Sequence, residues 1–370
     1  MKAVGVLPGQ RQVRLVEHAQ PQICHDTEVK IRSLEIGVCG TDKEICTFVY
    51  GSPPPGYDYL VIGHESLGEV IEVGAKVSHF KPGDLVVPSV RRPCPHHDCR
   101  PCQEQLQDFC STGDFTERGI KMTHGFMTEY YVDDAKYLNL VPPALRDVAV
   151  LVEPLTVAEK ALAQVWQVQR RLPWGSGSTS PSERGSGLRA VVLGAGPVGI
   201  LGAMALVARG FKTYVYSRSP KPNIKADLLE SFGVEYISSE SVSISGLAER
   251  VGNIDLVYEA LGVAKISFQV MGILGNNGVF VFTGIPAPRP ATDIEADILM
   301  RNIVLKNQVI VGTVNADKAA FENAIYDLTI FQQRWPQALR SLITGRYSID
   351  SYKELLLGHQ RGGIKNVIAF

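Results

Sequence analysis

The sequence predicts an α/β protein in which a doubly wound parallel sheet is joined to a β-rich region. Three observations carry this. From residue 188 to about 314, apolar strands alternate with helical stretches, the pattern of a parallel sheet covered on both faces. A glycine-rich turn joins the first of those strands to a helix. The first 145 residues instead read as short apolar runs bounded by Gly and Pro, such as 28–32 and 84–88, with weak helical periodicity. The strands expected in the parallel sheet are 189–193, 213–216, 254–259, 279–283 and 309–312. Residues 147–169 have helical spacing, as do 317–332, and 365–370 read as a final strand. The Ser/Gly-rich stretch 174–188 reads as an extended surface loop.

Bulk properties narrow the function classes. A length of 370 residues suggests two domains, and 45% hydrophobic with 20% charged residues is the balance of a soluble globular chain. The net charge of −1 offers no basic surplus for nucleic acid. No run of 18 or more apolar residues suggests a membrane span, and the N-terminus lacks the apolar core of an export signal, so a cytoplasmic location is expected. All seven cysteines lie within the first 110 residues. An odd count without an export signal argues against a disulfide framework and for metal binding in a reducing compartment.

Residues 188–199 read LRAVVLGAGPVG. Gly194 permits a tight turn, Gly196 lets backbone approach a pyrophosphate, and Gly199 lets the helix pack against the strand. Pro197 and Val198 open that helix, whose free N–H groups and dipole suit phosphate. An NAD site would carry an acid about 20 residues further on. Here 214–221 hold none; Ser217, Arg218 and Ser219 offer instead a charge and hydroxyls for a 2′-phosphate, so NADP is expected over NAD, with NAD use left open.

Two constellations suggest zinc. Cys94, Cys99, Cys102 and Cys110, spaced x4, x2 and x7, could form a closed tetrahedral structural site, in which His96 or His97 could replace one sulfur. Cys39, His64 with Glu65, and Glu153 would supply a thiolate, an imidazole and carboxylates, leaving a position open for water or substrate. Singly, each has a plainer reading: Cys39 as a small buried hydrophobe, His64 as a core histidine, Glu153 as a helix cap.

The run Gly63 to Val77, GHE-x2-G-x5-G-x2-V, resembles the zinc signature of the medium-chain alcohol dehydrogenases, and the order of the other motifs agrees. Segments 39–44, 108–113, 117–120, 125–127 and 153–160 are similar to the glucose (aldose) 1-dehydrogenase branch. The resemblance implies a GroES-like β-rich catalytic domain, 1–160 completed by 316–370, and a Rossmann domain, 161–315. It also implies a catalytic zinc at Cys39, His64, Glu65 and Glu153, and a structural zinc at the four-cysteine lobe. A homodimer or homotetramer is implied as well. Thr41, Glu117, Glu153 and Asn315 would contact the sugar. The nicotinamide side would be lined by Thr283, Gly284, Ile285, Thr313, Val314 and Asn315. Two departures stand out: Val157 replaces a frequent acid or amide, and the first cysteine spacing is x4 where x2 is commoner.

The expected reaction is oxidation of an aldose at C1 to its lactone. A general base near Thr41 or Glu65 takes the hydroxyl proton, and the hydride passes to the nicotinamide. The alternatives are a zinc-dependent polyol, threonine or other alcohol dehydrogenase, and, further off, a non-catalytic dinucleotide-binding relative. The identity of the sugar, its anomer and the in vivo direction are not written in the sequence.

Overall fold

The computed structural model describes residues 1–287, 291–358 and 363–370. The chain divides into two compact units. The first is Met1–Thr156 with Asn315–Thr329 and Leu342–Phe370; the second is Val157–Val314 with Ile330–Ser341. The changeovers fall a few residues before those expected at 160/161, and one before that at 315/316. The segment Ile330–Ser341 belongs to the second unit because Trp335 packs its ring against Phe232 and Phe331, at centroid distances of 5.6 and 5.9 Å.

In the first unit a mostly antiparallel sheet runs in the order Leu138–Val141, Leu85–Pro88, Glu65–Val73, Glu28–Gly37, Lys365–Ala369, Ile343–Ser348, with Tyr130–Asp134 also pairing with Glu28–Gly37. Glu28–Gly37 is central because its Val and Ile residues are buried; Ile31 and Ile36 are fully covered and pack with Val70, Phe126 and Ile368. Register decides what meets at its end. Gly37 lies opposite Glu65 on one side and Val367 on the other. A Cβ at Gly37 would collide with the Glu65 carboxylate, so glycine is what allows this approach.

In the second unit six parallel strands run in the order Glu235–Ser238, Lys212–Ser217, Arg189–Leu193, Leu256–Glu259, Val279–Phe282, Val309–Gly312. This is the doubly wound order, and it reverses beside Arg189–Leu193. Five of these strands coincide with sequence expectations to within two residues. Glu235–Ser238 was not expected, since only its two middle residues, Tyr236 and Ile237, are apolar and both ends are polar. The helix Pro197–Ala208 buries nearly every side chain, so its sequence is apolar all round. The expected 147–169 helix is Val152–Val168 flanked by 3-10 turns, with Pro154 tolerated in the first turn. Among the described residues no helix is long and apolar enough to cross a membrane.

Candidate metal centres and dinucleotide site

The residues of the first unit that could ligate a metal fall into two groups. Cys39 ends the loop after Glu28–Gly37 and caps the short helix Gly40–Ile45; His64 precedes and Glu65 begins the neighbouring strand. Their ligand atoms all lie within 4.8 Å of one another. Thr41 stands on the first turn of the same helix, partly buried. Glu153, on the first turn of Val152–Val168, falls outside that group of three.

Two residues not singled out in the sequence brace this group. Asp42 is fully buried; it accepts the Cys39 N–H at 2.8 Å and the Gly63 N–H at 3.2 Å, and its Oδ1 lies 3.4 Å from His64 Nδ1. One carboxylate thus orients the backbone at Cys39 and the ring of His64, the arrangement that fixes a ligating imidazole. Lys365, from the C-terminal strand, pairs with Glu65 Oε2 and donates to the Val38 carbonyl at 3.2 Å. Asp42 had only a local signal, an acid three residues after Cys39, the spacing of a capping box. Lys365 had none, because only tertiary register brings it to Glu65.

The electrostatics of this group test whether a cation fits. Burial would push His64 down, but Asp42 and Cys39 outweigh it and hold its pKa well above the usual value. Burial would likewise lower Lys365, but Glu65, Cys39 and Glu153 outweigh it and raise it. Glu153 is pushed up to about 7, first by burial, with Glu65 and Asp42 adding to the rise and His64 and Lys365 opposing it. All three shifts draw protons into the group. A half-buried thiol beside buried carboxylates creates a demand for positive charge, which a divalent cation held by Cys39, His64 and Glu65 would satisfy.

In the second group, Cys94, Cys99, Cys102 and Cys110 also place their sulfurs within 4.8 Å of one another, and the first three are buried. Cys99 Sγ lies 3.9 Å from Cys110 Sγ. A tetrahedron with Zn–S bonds of about 2.3 Å has edges of about 3.8 Å, so the lobe has the dimensions of a four-thiolate zinc site. Neither His96 nor His97 joins this group; His96 instead pairs with Asp114 at 2.6 Å. All seven cysteines are free thiols.

In the second unit the residues expected to bind the dinucleotide lie at or just beyond the carboxyl ends of the parallel strands, where open α/β sheets take ligands. Gly194 has φ of 105°, and a Cβ on Gly199 would collide with the Gly194 carbonyl. A Cβ on Gly196 would meet nothing within 4 Å, so internal packing does not require glycine there. That open space above the N-terminus of Pro197–Ala208 is what a pyrophosphate would fill. Ser217 ends the next strand, and Arg218 and Ser219 follow it. The Ser238 hydroxyl donates to the Arg218 carbonyl at 2.8 Å and the Tyr236 hydroxyl to the Ser219 carbonyl at 2.7 Å, while the Arg218 and Ser219 side chains stay exposed.

Glu259 was also missed. It is buried at the end of Leu256–Glu259, where its carboxylate accepts N–H groups from Leu261, Gly262 and Gly284 at 2.7–3.1 Å. It thereby ties the turn at 260–262 to the segment Thr283–Ile285. An acid closing an apolar strand before a glycine turn was the available signal. Thr313 and Val314 follow Val309–Gly312; the Thr313 hydroxyl accepts from Gln164 Nε2 at 2.9 Å. Asn315 lies in the first unit and donates to Glu117 Oε1 at 2.8 Å.

Comparison with known proteins agrees with this architecture. Residues 25–143 match the alcohol dehydrogenase GroES-like domain, and 146–370 match the glucose dehydrogenase C-terminus. The chain is 37% identical over 359 residues to a glucose 1-dehydrogenase of Methanocella arvoryzae, covering 97% of this chain and 96% of that one. It is 38% identical to glucose 1-dehydrogenase 2 of Vulcanisaeta moutnovskia, covering 96% and 95%. Among solved structures, the Haloferax mediterranei glucose dehydrogenase in complex with NADP, Zn and gluconolactone superposes with a TM-score of 0.88 at 30% identity, covering 100% of this chain and 99% of that one. The fold, the motifs and these full-length matches together place the chain in the zinc-containing medium-chain alcohol dehydrogenase family, in its glucose dehydrogenase branch.

Proposed function

We propose that this protein oxidises an aldose, glucose foremost, at C1 to the lactone, with NADP as hydride acceptor. The observation that carries the reading is the group of half-buried Cys39 with buried His64 and Glu65, whose ligand atoms converge within 4.8 Å. Zinc bound there supplies Lewis acidity that lowers the pKa of an alcohol, and the nicotinamide supplies the hydride acceptor.

The chain's own residues do the rest. Asp42 holds the imidazole of His64, and Lys365 balances the charge of Glu65. The sugar loses its C1 hydroxyl proton to a general base near Thr41 or Glu65 and loses hydride from C1 to the nicotinamide, so that two electrons and two hydrogens leave, one as the proton and one in the hydride. Glu153 sits in the same electrostatic neighbourhood and can hold a proton near neutral pH. Glu117 accepts a hydroxyl of the sugar. Gly194, Gly196 and Gly199 cradle the pyrophosphate, and Ser217, Arg218 and Ser219 hold the 2′-phosphate. Thr283–Ile285 and Thr313–Val314 line the nicotinamide side.

Initial rates with glucose, galactose, xylose and sorbitol, each with NADP and NAD, test this. Aldoses with NADP are expected to be fastest, with Arg218→Ala raising the KM for NADP about 10-fold or more and leaving that for NAD unchanged. Sorbitol or threonine outrunning every aldose would transfer the site to another alcohol. Val157 offers no hydrogen bond where relatives carry an acid or amide, so the ranking among aldoses is where this chain is expected to differ.

The same reading includes a homodimer or homotetramer in the cytoplasm. The strand Val309–Gly312 is an edge of the parallel sheet, and the helix Ala296–Leu305 buries none of its residues, with Met300, Val304 and Leu305 at least 64% exposed. An unpaired edge beside exposed apolar side chains suits a second copy of the chain. Light scattering reads the mass directly, and a monomer would overturn this part.

A further inference from the structure

Arg91 and Glu117 face each other across a short antiparallel pair of strands, Arg91–Arg92 and Thr116–Arg118. Both side chains are more than nine-tenths buried. An arginine–carboxylate pair commonly engages both carboxylate oxygens. Here Arg91 Nε and Nη2 both donate to Glu117 Oε1, each at 3.0 Å. Asn315 Nδ2 donates to the same oxygen at 2.8 Å. Among the described residues no hydrogen bond reaches Oε2, and that atom keeps access to solvent.

The donors are themselves fixed. Arg91 Nη1 donates to the Asp108 carbonyl at 3.1 Å, and its guanidinium lies 3.7 Å from the centre of the Phe115 ring. Asn315 Oδ1 accepts from the Ala316 N–H at 2.8 Å. The Glu117 carboxylate is therefore held at one oxygen by three N–H groups that cannot easily turn away. Tyr50, about half exposed, lies where its ionisation feels Glu117, Arg91 and Glu44 as well as His64. The loop carrying Tyr50 is clamped beside Glu117 by Ser52, which donates to the Ile120 carbonyl at 3.0 Å and accepts from the Met122 N–H at 2.9 Å.

We propose that Arg91 is a positioning residue for the sugar: with Asn315 it saturates Glu117 Oε1, so that Oε2 becomes a single directed acceptor for one substrate hydroxyl. This rests on the reading of Glu117 as a sugar contact. A site built to accept one hydroxyl rejects the analogue lacking it, because the buried acceptor is then left unpaired.

The test uses the zinc-loaded enzyme at saturating NADP with glucose and its 2-, 3-, 4- and 6-deoxy analogues. One analogue is expected to lose about 10–100-fold in kcat/KM on the wild-type enzyme. Glu117→Gln should lose a comparable factor on glucose and cease to discriminate against that analogue. Arg91→Met should raise the KM for glucose about 10-fold or more, with less effect on kcat and none on the KM for NADP, and should weaken discrimination against the same analogue. Arg91→Lys, which keeps the charge but not the two-pronged donor, should fall between the two and is decisive should Arg91→Met not fold. Folded Arg91 variants that discriminate as the wild type does would overturn the positioning role while leaving Glu117 as a sugar contact. Wild-type discrimination in Glu117→Gln would remove the sugar contact and the positioning role together.

Discussion

Four thiols from one short stretch make the Cys94–Cys110 lobe, whereas Cys39, His64 and Glu65 come from a loop and a neighbouring strand and depend on Asp42 and Lys365 for support. In the lobe the donors saturate a tetrahedron among themselves. The other group has three donors of three chemical types, which leaves a fourth position for substrate. The first is suited to hold a fold together and the second to hold a reaction. Support follows the same division: a closed site needs its ligands, while an open one needs partners that keep its ligands aimed.

The largest expected effect tests the open group. His64→Ala should cut glucose-dependent NADP reduction at least about 10³-fold, since several kcal/mol of charge stabilisation is lost. Zinc content should fall from about two per chain to about one, with little change in Tm; loss of both ions would break the separation between the groups. Cys102→Ser should do the converse. It should lower Tm by about 10 °C or more, because structural metal binding is folding free energy, while the folded fraction at 25 °C keeps kcat/KM within about 10-fold. Asp42→Asn sharpens the role of support: a loss of about 10–100-fold in activity or in zinc affinity is expected, and an unchanged affinity with unchanged rate would deny Asp42 its part.

The smallest effect separates acid damage to the fold from acid damage to the metal sites. His124 is pushed down to about 4 by burial, with His18 and Arg118 adding to the shift. The unfolded chain titrates this group near 6.5. Between those values the unfolded state binds the proton first, so the contribution is complete above about pH 6.5 and is lost as pH falls toward 4. In metal-free protein, Tm should fall between pH 7.5 and 5, and His124→Gln should flatten that slope. An identical slope in both proteins would assign the acid sensitivity elsewhere.

Local pattern carried much of this. The strand–turn–helix at 189–208 was legible because its three glycines fall at fixed spacing within a dozen residues, Gly194 and Gly199 answering to the turn itself. The cysteine lobe was legible because its ligands are neighbours in sequence. The strand Glu235–Ser238 was not legible, since only Tyr236 and Ile237 within it are apolar, unlike the all-apolar start of Val309–Gly312. Asp42 gave only a capping signal, and Arg91 none, because the role of a buried arginine depends on which carboxylate lies opposite.

The sequence by itself determined the doubly wound sheet, the glycine-rich turn, the absence of an acid at 214–221 and the donor types of both metal groups. Each of these is written in short-range spacing or residue chemistry. Only the tertiary structure decided that Glu65 and not Glu153 joins Cys39 and His64, that His96 leaves the cysteine lobe for Asp114, and that Lys365 and Asn315 reach Glu65 and Glu117. Those choices depend on strand register and on close approaches such as Gly37 against Glu65, which bring together residues that no local pattern links.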